Sequence, residues 1–180
     1  KNIKKACDIA TEALKMTLPA IKTGVSEIKI AALLEYNMRC LGAERTSFGT
    51  IVVSGERSAM PHGIPSDKLI CDGDPVTIDF GAVYNGYCSD MTRTVAVSYV
   101  TVEMEKVYNT VLLAQTVALE AAAEGVSCHA LDTAARNVIH GAGYKGCFGH
   151  SLGHGVGMYI HEEPRLSPKA DNADVLERGH

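Results

Sequence analysis

Two aspartates sit inside the most strand-like stretch of this chain, and they restrict its fold more than any other feature. Asp79 lies in Val76-Thr77-Ile78-Asp79-Phe80-Gly81 and Asp90 in Tyr87-Cys88-Ser89-Asp90-Met91-Thr92, both runs rich in β-branched and aromatic residues. Asn85-Gly86 between them is the signature of a tight two-residue hairpin. With that loop Tyr84 pairs with Tyr87 and Asp79 stands opposite Thr92, so both carboxylates fall on one sheet face as diagonal neighbours. A four-residue loop would set them directly opposite each other. A three-residue loop would send them to opposite faces unless a bulge intervened. A lone aspartate is ordinarily a turn or edge residue that caps a neighbouring N–H. Two on one apolar hairpin are different, because like charges that close need a shared proton or a metal ion.

Helices flank this hairpin. Residues 1–17 carry Ile3, Ala6, Ile9, Ala10, Ala13, Leu14 and Thr17 at helical spacing, with Pro19 placed to end the segment. Gly24-Val25-Ser26 offers a turn and an N-cap serine for a second helix bearing Ile28, Ile30, Leu33, Leu34, Met38 and Leu41, with Gly42 as its stop. A third helix runs from about Val102 to Ala122, and Gly125-Val126-Ser127 introduces a fourth that ends near Gly141 to Gly143. Gly24-Val25-Ser26 and Gly42 thus recur as Gly125-Val126-Ser127 and Gly143 at an offset of 101 residues, which suggests an internal duplication. Thr50 to Ser54, Pro75 to Val83 and Tyr87 to Val97 read as strands, and the glycine-rich segment from Phe148 to Ile160 as a further one. Helices segregated from a mostly antiparallel sheet make the fold class α+β.

At 180 residues the chain suits one domain, and no apolar run reaches the 18 or so residues of a membrane span. Seventeen Lys and Arg against 21 Asp and Glu give a net charge of -4 without a basic stripe, which opposes a nucleic-acid or anionic-membrane partner. The six cysteines form no CxxC pair and read as reduced thiols. With no signal peptide ahead of the first helix, the cytoplasm is the expected compartment. An opening at Lys1 without methionine and a stop at His180 suggest a piece of a longer polypeptide.

Histidines supply the second constellation. His150, His154 and His161 lie among glycines at 149, 153, 155 and 157, and glycines let a ligand approach closely. The i, i+4 spacing of His150 and His154 would suit a helical zinc pair, yet the glycines oppose a helix and HExxH is absent. On an alternating strand these two share a face, and His161 faces away unless a bulge intervenes. His62, in the proline-bounded loop Met60-Pro61-His62-Gly63-Ile64-Pro65, is a further candidate, since loops on rigid scaffolds carry function. P-loop, GxGxxG and GxSxG patterns are all missing.

Taken together, IDFG at 78–81, GYCSDMTRT at 86–94, HSLGHGVG at 150–157 and HEEP at 161–164 resemble the pita-bread metallopeptidases, in particular the prolidase and aminopeptidase P branch. The resemblance covers essentially the whole chain. It implies an α+β pita-bread fold of two pseudo-symmetric halves, each a helix pair with antiparallel strands. Residues 1–180 would then be a single catalytic domain, truncated at its C-terminus and lacking the N-terminal domain common in that branch. It implies that Asp79, Asp90 and His154 ligate a pair of divalent ions, with Asp79 on one, Asp90 bridging and His154 on the other. Such a donor set suits Mn, Co or Zn. It implies too that His62, His150 and His161 line the substrate site, holding the scissile carbonyl and stabilising the tetrahedral intermediate. The metals would supply a bridging hydroxide and polarise that carbonyl. Substrates would be peptides with proline after the scissile bond, and a homodimer is expected by analogy.

Methionine aminopeptidases share the aspartate pair and the GHG histidine, but His150 in HSLGHG together with SDMTRT resembles the proline-specific branch more. Creatinase-like hydrolases rank third. In one respect the chain departs from the family pattern: two further ligand glutamates belong on C-terminal strands, and Glu162, Glu163 and Glu177 do not match them. That departure implies impaired metal binding. It keeps a second reading open, a catalytically inactive pita-bread binding module. Retention of Asp79, Asp90, His154, His62 and His161 favours the peptidase, because a pure scaffold has no need of a carboxylate pair in its sheet.

Overall fold

Buried positions in α1 (Asn2–Thr17) are Ala6, Ile9, Ala10, Ala13, Leu14 and Thr17, the three- and four-residue spacing of one helix face. A short 3-10 turn through Pro19 closes it. α2 (Glu27–Cys40) packs Ile30, Ala31, Leu34 and Met38 into the same core. Between the two helices lies one buried polar link: Asn37 Nδ2 donates to Thr17 Oγ1 at 3.0 Å, and that hydroxyl donates to the Ala13 carbonyl.

Six strands follow, β1 (Arg45–Thr46), β2 (Ile51–Ser54), β3 (Pro75–Phe80), β4 (Ala82–Tyr84), β5 (Tyr87–Cys88) and β6 (Met91–Ala96). They form two antiparallel sheets, in the orders β2-β3-β6 and β1-β4-β5. β3 alternates as its sequence demands. Val76, Ile78 and Phe80 are fully buried against α1 and α2, while Pro75, Thr77 and Asp79 line the opposite, half-open face. Each such buried apolar side chain contributes roughly 1.5–3 kcal/mol, so this covered face fastens the sheet to the helices.

The two long strands expected from sequence are each interrupted, at Gly81 and at Ser89-Asp90. Here the backbone passes from one sheet to the other. The Ser47 N–H donates to the Gly81 carbonyl at 2.9 Å, and the Ser47 hydroxyl lies 3.0 and 2.8 Å from the Ala82 and Ser89 carbonyls. β1 joins the sheet through Glu44 to Ser47 and was not foreseen, because a two-residue strand carries no periodicity.

Farther along the chain come α3 (Val102–Ala121), α4 (Cys128–Gly141), β7 (Gly153–Gly155) and β8 (Glu162–Leu166). Ala114 and Ala118 of α3 meet Ala135 and Ile139 of α4, and Phe148 and Leu152 pack on that contact. Only residues 153–155 of the expected 148–160 strand are strand. β8, with two glutamates and a proline, has a composition that sequence patterns assign elsewhere.

A computed structural model describes residues 1–180, divided into two compact units: Lys1–Thr101 with Val156–Ile160, and Val102–Gly155 with His161–His180. The duplication expected from the glycine spacing is visible in the backbone bonds of each. In the first unit Gly24 N–H donates to Ile70, Ile70 N–H to Val25 and Glu27 N–H to Lys68; in the second Gly125 donates to Leu176, Leu176 to Val126 and Cys128 to Asp174. Gly24 and Gly125 hold φ of 84° and 83°, the left-handed region glycine tolerates. Both α2 and α4 end in a Schellman motif, with Gly42 and Gly143 at its left-handed position. Ser26 and Ser127 do occupy N-cap positions, but their hydroxyls make no cap bond. The carbonyls of Lys68 and Asp174 take the first helical N–H groups instead. All six cysteines are unpaired, and no helix is long and apolar enough to cross a membrane.

Candidate functional site

Tyr84 pairs with Tyr87, and the same register carries through to Asp79 opposite Thr92 and Phe80 opposite Met91. The loop therefore has the two residues Asn85 and Gly86, and Asn85 takes φ 47° and Gly86 φ 77°, as a type I′ turn requires. Asp90 lies two residues before Thr92, just outside β6, and the register extended by one residue would set it diagonal to Asp79. Asp79 is half-buried and Asp90 exposed. Thr92 Oγ1 donates to Asp79 Oδ1 at 2.8 Å, fixing that carboxylate on the open face, where Thr77 and Thr94 also pair their hydroxyls at 3.2 Å.

His62 is exposed in the loop after a 3-10 turn over Gly55–Ala59. Gly63 beneath it is buried, with Val53 Cγ1 2.5 Å from where a Cβ would lie. A residue absent from the sequence reading organises this loop. Glu27, in the first turn of α2 and fully buried, accepts from the backbone and hydroxyl of Ser54, from the backbone and hydroxyl of Ser66, and from Arg57 Nε. Burial alone would push its carboxyl up, but the bonds from Ser66 and Ser54 outweigh burial and hold it below the usual glutamate value. Arg57 then donates from Nη2 to the Ile64 carbonyl at 2.7 Å, tying down the segment that carries His62.

In the second unit, His154 sits at the centre of β7 and pairs with Arg165 of β8. The register slips between His154 and Gly155, and a Cβ on Gly155 would overlap the Glu163 carbonyl, so glycine is required at this bulge. The single alternating strand through His150, His154 and His161 does not form: β8 returns antiparallel to β7, and His161, just before it, comes edge-on to His154 with ring centroids 4.5 Å apart. His154 Nδ1 faces the Gly155 carbonyl at 2.9 Å and His150 Nδ1 the Ser151 carbonyl at 2.8 Å. A carbonyl only accepts, so in each of these contacts it is Nδ1–H that donates.

His150 is exposed, but its segment is firmly held. Asp132 of α4, its side chain 1% exposed, receives a bidentate fork from Arg136 at 2.8 and 3.0 Å. Asp132 Oδ1 also accepts the Leu152 N–H at 2.9 Å. Sequence reading passed over this pair because an i, i+4 Asp and Arg normally marks a solvated helix face. Burial of Asp132, with Arg136 half-buried over it, is what distinguishes it.

Neither unit by itself gathers three His, Cys, Asp or Glu side chains around one point. The donors in each unit nevertheless suit a divalent ion. In the first, Asp79 stands on the half-open face of β3 with the exposed Asp90 just before β6, and in the second His154 sets Nδ1 against a carbonyl.

Residues 1–180 match the metallopeptidase family M24. The chain is 49% identical over 177 residues to the Xaa-Pro dipeptidase of Pyrococcus furiosus, covering 98% of this chain and 50% of that protein. Among solved structures it superposes on the prolidase from Pyrococcus horikoshii with a TM-score of 0.96 at 46% identity, covering 99% of this chain and 51% of the other. It superposes on the X-Pro aminopeptidase from Thermotoga maritima with a TM-score of 0.93 at 47% identity, covering 97% and 49%. The chain spans about half the length of the curated relatives it matches.

Proposed function

The chain belongs to metallopeptidase family M24, and from that premise we propose that it forms the catalytic part of a metal-dependent exopeptidase that cleaves the bond before proline. Its fold is the α+β pita-bread fold of the prolidases and X-Pro aminopeptidases it superposes on. The observation that carries the proposal is the hairpin register, which sets Asp79 opposite Thr92 on the half-open face of β3 and brings the chain back through Asp90 just before β6. Proline specificity rests on the names of the relatives, the Xaa-Pro dipeptidase above all.

Asp79, Asp90 and His154 are the proposed ligands of two divalent ions, with Mn, Co and Zn as candidates. When bound, such ions supply Lewis acidity and positive charge to the scissile carbonyl. Everything else falls to the side chains. Thr92 orients the Asp79 carboxylate through its hydroxyl. The Gly155 carbonyl holds the His154 tautomer, so that Nε2 is the donor atom, and His161 braces that ring edge-on. His150, with its proton on Nδ1, presents Nε2 for substrate. His62, His150 and His161 are proposed to bind and orient the peptide carbonyl and to stabilise its oxyanion when protonated. Residues 1–180 are proposed to act as one catalytic domain. Six unpaired thiols fit a reducing compartment, the cytoplasm, and a homodimer is the proposed assembly.

The test is release of the N-terminal residue from Xaa-Pro dipeptides and longer Xaa-Pro peptides by the protein at its native length, with Mn, Co or Zn added in turn. Metal-dependent hydrolysis that disappears when Ala replaces Pro is expected. Inactivity with all three ions, or preference for a peptide with N-terminal Met and no Pro, overturns it.

A further inference from the structure

We infer that Asp132 and Arg136 are positioning residues for His150, acting on the ring through the backbone that carries it; the inference rests on the role proposed for His150 above.

Arg136 uses both ends of its guanidinium. Nε and Nη2 engage Asp132, while Nη1 donates to the Phe148 carbonyl at 2.7 Å and Nη2 to the His150 carbonyl at 3.0 Å. Asp132 closes the loop by accepting the Leu152 N–H. Backbone groups of residues 148, 150 and 152 are thus all fixed by one ion pair on α4. The guanidinium also lies over the Phe148 ring, 4.4 Å from its centroid, and that ring meets the His150 ring edge-on at 5.0 Å. Phe148 and Leu152 pack on the α3–α4 core, so His150 is an exposed ring between two anchored neighbours. A planar fork is needed for this: lysine has one compact cationic centre and cannot bond Asp132 twice while reaching two carbonyls in different directions.

The device has a counterpart in the first unit. There the buried Glu27 binds Arg57, and Arg57 holds the Ile64 carbonyl beside His62. In each unit a buried carboxylate on the second helix of a pair therefore fixes, through an arginine, the loop of a candidate substrate-side histidine. These pairs do not correspond at the offset of 101 residues, which sets Cys128 against Glu27 and Ala31 against Asp132.

A merely structural ion pair would stabilise the fold and leave the ring alone. The variants are Arg136→Lys and Asp132→Asn, with Ile139→Val as a control that loosens the same helix contact without touching the loop. Two quantities are read in the native-length protein: kcat and KM on an Xaa-Pro peptide, and the tautomer of His150 by long-range 1H–15N spectra at about pH 8, where an ordinary imidazole is neutral. Both variants should lose about tenfold or more in kcat with KM little changed, the pattern of a contact made in the transition state. Both should also mix the His150 tautomers, which are held as Nδ1–H in the parent. Ile139→Val should change neither. Unaltered His150 spectra in both variants overturn the inference, and so does a mixed tautomer with full kcat. If the parent hydrolyses nothing, the peptidase proposal fails, while the spectra still decide whether the pair holds the ring. Should Arg136→Lys not fold, Asp132→Asn alone carries the same two readings.

Discussion

Gly81 and Ser89 cross so closely that a Cβ on the glycine would lie 1.9 Å from the Ser89 carbonyl oxygen, far inside the sum of the two van der Waals radii. This crossing sits between β3, which carries Asp79, and the segment that carries Asp90. Backbone against backbone has little room to relax, so Gly81→Ala should cost about 3 kcal/mol. Urea unfolding followed by circular dichroism measures that loss. A variant as stable as the parent would show that the strand crossing gives way easily.

Asp79→Asn keeps an acceptor for Thr92 and removes one of two neighbouring negative charges. Without metal the variant should melt at or slightly above the parent temperature. Added Mn2+ should raise the parent's Tm and leave the variant's unmoved, because a ligand that binds only the native state stabilises by about 2.7 kcal/mol at a hundredfold excess over Kd. Calorimetric scans with and without the ion are sufficient. Equal metal-induced shifts in both proteins would remove Asp79 from the ligand set.

Gly155→Ala places a methyl group on the Glu163 carbonyl and should force the β7–β8 bulge open. The expected loss is about 3 kcal/mol, together with the contact between His154 and His161. Disappearance of the ring-to-ring nuclear Overhauser effect reads the second directly. Its survival would show that something other than the bulge pairs the two histidines.

Glu27 gives a pH signature with a definite sign. Its carboxyl is held below the usual glutamate value in the folded state, burial being outweighed by the Ser66 and Ser54 bonds. The unfolded chain thus binds the proton first as pH falls. The stabilisation is complete above the ordinary value and drains away as pH drops through the folded one. Glu27→Gln should cost about 3 kcal/mol near neutrality, since it leaves Arg57 without its anion. The gap between the two proteins should narrow steadily in acid. Parallel stability curves from pH about 7 to about 3 would contradict this.

Much of the geometry around the candidate site was legible because its signals are local. Asn85-Gly86 selects its own turn geometry, and one register then determines where Asp79 and Asp90 fall. Glycine spacing around 24, 42, 125 and 143 disclosed a duplication because each position demands a left-handed backbone. Less was legible where the cause was distant in the chain. His161 reaches His154 only through a bulge whose other strand contains Pro164, and no alternation pattern encodes a slipped register. Glu27 and Asp132 carry no local signal of burial, and only the packed chain separates them from carboxylates on a solvated helix face.

Sequence alone determined the periodicities, the hairpin and the identities of the six candidate side chains, since each depends on neighbours within a few residues. Tertiary structure decided which backbone groups satisfy the helix N-termini, where the strands break, and which carboxylates are buried with an arginine. Those outcomes depend on bonds between segments tens of residues apart, such as Glu27 to Ser66 and Asp132 to Leu152, and only the packed chain determines which of them form.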